Sequence, residues 1–168
     1  MIAYIALSVF PAALLIAAMN DLYEFKIPNW VSIVLLAAYP AAGVALGAPA
    51  PLIFQGCVLA AAALAIGFIL YATKVLGGGD AKLFAATAPW IGLSGLPVYL
   101  LNMALAGAFL AIGLILFRRT PPLPVYAQAQ WLLRLHQTKK EIPYAVAIAA
   151  GGLLSFSETP FFQLAYGG

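Results

Sequence analysis

Residues 83 to 117 run for 35 positions without a charged side chain. As one helix this stretch would reach about 50 Å, well beyond a hydrocarbon core of about 30 Å. Similar apolar runs recur upstream, and the chain as a whole is 65% apolar and 8% charged. A soluble domain carries roughly a quarter charged residues to dress its surface, so a soluble fold is excluded. Backbone polar groups in lipid must be satisfied within their own segment, which leaves a helix bundle as the reading of such runs. The chain is therefore expected to be an all-α, polytopic membrane protein.

Three spans precede the long run, at about residues 2 to 20, 29 to 47 and 51 to 73. Pro11 and Pro40 fall inside the first two, where bilayer helices tolerate them. Pro28 suits a helix start, and Gly47 to Pro51 reads as a tight turn. The cluster Gly92-Leu-Ser-Gly-Leu-Pro97 divides the long run into a short fourth span, about 80 to 94, and a fifth, about 98 to 117. A sixth covers about 143 to 157, followed by an interfacial tail. The first span lacks the basic flank of a signal peptide and is read as retained. The longest polar interval, Arg118 to Glu141, is too short for a core of its own, so residues 1–168 form a single membrane domain.

The eight basic residues test this division. Lys26 lies between spans one and two, and Lys74 and Lys82 between three and four. Arg118, Arg119, Arg134, Lys139 and Lys140 lie between five and six. With six spans all eight share one side, which the positive-inside rule makes cytoplasmic, with both termini outside. Merging the fourth and fifth spans would break that parity. The excess positive charge is thereby explained by topology and calls for no nucleic-acid partner. Within the cytoplasmic loop 118–142, Val125, Ala129, Leu132, Leu133 and His136 share a face at helical spacing. That loop is either an interfacial amphipathic helix or a plain connector.

Only five acids occur: Asp21, Glu24, Asp80, Glu141 and Glu158. Topology puts Asp21 at the cytoplasmic end of span one and Asp80 at the cytoplasmic start of span four. Because span four is short, Asp80 is expected in a water-lined recess below the headgroups, where a carboxylate costs free energy and usually has a task. Gly77, Gly78 and Gly79 before it permit positive φ and close backbone approach. The bland alternatives are an N-cap for Asp80 and an ordinary helix flank for Asp21. The single cysteine, Cys57, excludes an intrachain disulfide and a cysteine-built zinc site.

Asp21, Ile27-Pro28-Asn29, GGGDAKL at 77 to 83 and EIPYAVAIAAGG at 141 to 152 together resemble the type IV prepilin peptidase family. More narrowly, the chain is similar to the short members serving Flp/Tad-type pili, without the cysteine-bearing methyltransferase region of longer members. The resemblance implies an intramembrane aspartyl endopeptidase of the bacterial inner membrane, with Asp21 and Asp80 as its catalytic pair. It implies pilin and pseudopilin precursors as substrates. Two acids performing such hydrolysis share a proton: one activates water while the other polarises the scissile carbonyl. No metal or other cofactor is required.

Gly77 and Gly79 are expected to serve backbone geometry. Lys82 is read as reaching the headgroups, with substrate contact as its alternative. Asn102 and Gln55 are expected to bond between helices, and His136 to be a surface residue. Rival functions are a small ion- or proton-coupled transporter and a non-catalytic subunit of a pilus or secretion assembly.

Overall fold

The computed structural model describes residues 2–121, 129–138 and 142–166, with side chains from residue 7 onward. The helices among them are α1 (Ile2–Glu24), α2 (Asn29–Ala45), α3 (Ala50–Ala72), α4 (Gly78–Arg119), α5 (Gln130–Gln137), α6 (Ala145–Leu154) and α7 (Pro160–Tyr166), with a 3-10 turn at Phe156–Glu158. No strand occurs among the described residues. Among the described residues three helices are long and apolar enough to cross a bilayer: α1 over Leu7–Glu24, α3 and α4. The fold is an all-α membrane helix bundle.

α4 is the element that organises it. Gly92 adopts φ 74° and ψ 161°, a conformation that breaks the helix into arms at 78–91 and 93–119. Phe84 and Tyr99 stack with ring centroids 6.0 Å apart. On one straight helix those residues would be separated by about 22 Å. The arms therefore fold back on one another as a hairpin. At 1.5 Å per residue the first arm rises about 20 Å and the second about 40 Å. The division expected in the sequence is present, but it falls at one residue, and Pro97 lies inside the second arm.

α1, α2, α3 and α6 pack around this hairpin. Proline starts two of them, with Pro28 immediately before α2 and Pro51 in the first turn of α3. Their fixed φ is already helical and no internal hydrogen bond is lost there. α3 meets the bundle through small residues, burying Gly56, Ala63 and Gly67. A Cβ on Gly67 would stand 3.1 Å from that of Ala81, so the missing side chain lets α3 and α4 approach closely. The core centres on Phe10, Leu14, Leu35, Trp90 and Ile148. Trp90 is fully enclosed, stacks on Phe10 and donates its indole N–H to the Leu35 carbonyl at 3.0 Å. In an apolar interior that bond avoids leaving a polar group unsatisfied.

Two expectations need correction. The last span is shorter than 143 to 157: α6 stops at Leu154. The segment after it is not a simple interfacial tail. Phe161 is 1% exposed and stacks on Tyr39 at 4.9 Å, so α7 folds back against the bundle. In the loop expected to hold an amphipathic helix, α5 spans Gln130–Gln137 and buries Leu135. Trp131 meets Tyr23 of α1 edge-on at 5.1 Å, and Leu135 accepts a hydrogen bond from Arg118 at 3.0 Å. Val125, Lys139, Lys140 and Glu141 lie outside the described residues.

Candidate active site

The end of α1 and the start of α4 meet at one cavity of about 900 Å³. That is about the volume of two turns of an α-helix 10 Å across. Asp21 and Asp80 both line it, on walls that are otherwise almost wholly apolar. One face of α3, including Leu59, Ala63, Ile66 and Leu70, forms one side. Phe84 and Leu100 from the two arms of α4 and Ile148 of α6 form others. The fold thus brings together two acids 59 positions apart in sequence, near enough that their charges act on one another.

Asp21 is in the last turns of α1, 6% exposed. Its Oδ2 accepts a hydrogen bond from the backbone N–H of Ala145 at 2.9 Å. Ala145 opens α6, so the first amide of that helix, which has no intrahelical partner, serves the carboxylate, and the helix dipole adds attraction for negative charge. This explains how residues 142 to 152 contribute to the site: Pro143 and Tyr144 begin a helix whose end holds Asp21. α1 terminates beyond it at Phe25, whose φ of 54° is rare for a residue with a Cβ. Phe25 also lines the cavity.

Asp80 occupies the third position of α4 after the cap residue Gly77. It is therefore not the N-cap; instead its carboxylate turns back toward the Gly77 backbone, as an acid at this position does in a capping box. Among the described glycines only Gly47 and Gly92 have positive φ, so the three before Asp80 do not use that freedom. They provide close approach. A Cβ on Gly77 would stand 2.6 Å from Asp80 Oδ2, one on Gly78 3.2 Å from the Tyr71 ring, and one on Gly79 3.3 Å from Ile27 Cβ. The first makes room for the carboxylate, and the third seats α4 on the turn that carries Ile27 and Pro28.

Lys82 is exposed and donates from Nζ to Asn29 Oδ1 at 3.0 Å, tying the starts of α4 and α2 together. It is not among the residues lining the cavity. Asn102 bonds Ser155 at 3.1 Å, linking helices as expected, whereas Gln55 is exposed on α3. His136 bonds the Thr120 carbonyl at 2.8 Å and packs on Phe117, away from the cavity. Glu24 and Lys26 line a separate polar hollow with Arg134. The sequence reading missed Tyr144, Phe25 and the Ala145 amide. A backbone amide leaves no residue signature, and the only pointer to it was the IPYA stretch.

An apolar cavity with two carboxyl groups at one end can hold a greasy segment while the acids share a proton and activate water. The class these features define is an all-α membrane bundle built around a paired-carboxylate cavity. The type IV leader peptidase family matches residues 8–112, which take in both acids and all three glycines. The chain belongs to that family. It is 36% identical over 87 residues to the prepilin leader peptidase/N-methyltransferase of Aeromonas hydrophila, covering 52% of this chain and 24% of that protein. The protein of the same name from Burkholderia pseudomallei (strain 1026b) is 33% identical over 120 residues, covering 71% and 32% respectively. The chain thus spans about a quarter to a third of the length of these curated relatives. No solved structure matches it significantly.

Proposed function

We propose that the chain is an intramembrane aspartyl endopeptidase that removes the leader from type IV prepilins and pseudopilins of the Flp/Tad type. Asp21 and Asp80 are the catalytic pair. The observation that carries this reading is their convergence on one cavity whose remaining walls accept an apolar helix. The ionised member takes a proton from water, which attacks the scissile carbonyl. The protonated member polarises that carbonyl and then protonates the departing amine. The proton count closes without a covalent intermediate. The α6 amide holds Asp21 in place, and Gly77 leaves room for Asp80.

The site faces the cytoplasm of the bacterial inner membrane, with the precursor helix in the bilayer and its polar leader outside the lipid. Support for this side comes from Lys26, Lys74 and Lys82, which flank the helix ends that carry the site. Gly77 and Gly79 shape the backbone, and Lys82 braces the starts of α2 and α4.

Co-expression of a Flp-type prepilin with the wild type, Asp21→Asn or Asp80→Asn tests the assignment. Each variant is expected to lose cleavage by at least about 10²-fold at normal membrane abundance, the scale of general acid–base help. Continued processing by either variant removes that aspartate from the mechanism, and flux of ions without cleavage points to a transporter.

A further inference from the structure

Among the described residues Tyr144 is the one with a hydroxyl on the cavity wall, placed among apolar side chains and the two acids. It stands at the N-cap of α6, next to the Ala145 amide that holds Asp21. It also lies near enough to Asp80 for the two groups to act on one another electrostatically. Its ring rests on the second arm of α4 at Gly107. A Cβ there would stand 3.1 Å from Tyr144 Cε2 and 3.4 Å from the hydroxyl oxygen. Gly107 is itself buried, so its missing side chain is what admits the ring to this position. The ring is thereby seated against Gly107 while the next residue along the backbone holds Asp21.

Among the described residues the Tyr144 hydroxyl makes no hydrogen bond, and the side chain remains partly exposed. A phenol in an apolar cavity usually finds a partner. A precursor helix seated in the cavity must be unwound where it is cleaved, and the unwound stretch offers peptide carbonyls that the two acids do not all satisfy.

We propose that Tyr144 is a substrate-binding residue whose hydroxyl donates a hydrogen bond to a peptide carbonyl of the precursor beside the cleaved bond. This rests on the peptidase reading above. The bond forms to bound substrate and to the transition state alike, so it acts on binding rather than on the chemical step. No proton is transferred: the hydroxyl keeps its hydrogen throughout.

The test uses the purified full chain and a synthetic prepilin peptide spanning the leader and the first turns of the mature helix. Tyr144→Phe keeps the ring against Gly107 and is expected to fold at wild-type abundance and melting temperature. Its KM should rise about five- to tenfold, the worth of one neutral hydrogen bond, with kcat little changed. Peptides carrying a thioamide at single positions around the cleaved bond then locate the acceptor. One replacement should weaken wild-type processing and have no further effect on Tyr144→Phe, which a merely structural tyrosine would not produce. A wild-type KM in Tyr144→Phe, or equal thioamide sensitivity in both proteins, overturns the assignment. Asp21→Asn and Asp80→Asn serve as a parallel arm. If they abolish cleavage while Tyr144→Phe behaves as wild type, only the tyrosine assignment fails. If they cleave normally, the peptidase reading fails and takes this assignment with it.

Discussion

Single residues in this protein act by what they leave out as much as by what they carry. Gly77 is the clearest case, because a methyl group there would stand 2.6 Å from Asp80 Oδ2. The atom it meets is the tip of a short side chain, which can swing aside at little cost in stability. The displaced carboxylate would then be misplaced by about an ångström, an error that can cost about 10²-fold in rate. Gly77→Ala is accordingly expected to accumulate and melt like the wild type while its initial rate of prepilin cleavage falls ten- to a hundredfold. Unchanged cleavage would show that Asp80 does not need that position. Gly79→Ala would meet Ile27 Cβ at 3.3 Å, a contact that Ile27 must relieve by a few tenths of an ångström, and touches no carboxylate, so it should be milder in the same assay. The two acids stood out in the sequence because charge is so scarce there. What holds them did not: the donor to Asp21 is a main-chain N–H from 124 residues away, and such a group has no one-letter code.

At the scale of elements, the hairpin of α4 depends on one backbone geometry. Gly92 combines φ 74° with ψ 161°, a region essentially restricted to glycine, and a Cβ there would stand 2.8 Å from Pro160 Cγ. Gly92→Ala should therefore destabilise the fold by about 1–3 kcal/mol, read as a lowered melting temperature in detergent. Loss of the Phe84–Tyr99 stack would accompany it, and a wild-type melting curve would contradict this account. The sequence located this break from helix length and charge parity, two arguments independent of each other. It spread the break over Gly92 to Pro97 because proline and glycine look equally disruptive in a string. In the structure Pro97 lies one turn into the second arm, where few helical hydrogen bonds are forgone. The inward course of α7 was not legible, since Phe161 and Phe162 read equally well as interfacial aromatics. The rings of Tyr39 and Trp90 inside the bundle decide between them.

For the whole molecule, the fold sorts its helix ends into two groups. Asp21, the 73–77 turn and the start of α6 gather at one end, and the 46–49 turn and the Gly92 hairpin at the other. In a Cys57→Ser background, Thr73→Cys and Ser94→Cys report on these ends. A membrane-impermeant maleimide applied to spheroplasts should label Ser94→Cys directly and Thr73→Cys only after permeabilisation. The reverse pattern would turn the proposed orientation over. Bundle class was readable because long charge-free runs obey bilayer physics directly. The cavity was not, since it arises from surfaces on α1, α3, α4 and α6 that meet only after folding. The arms of α4 share a turn yet differ in rise by about 20 Å, so the foot of the shorter one stops well below the shoulder of the longer. The distance from Asp80, at the foot of the shorter arm, to the Gly92 turn is thus set by covalent length. Lipids of different acyl length would alter the surroundings of that carboxyl group without moving it relative to the turn.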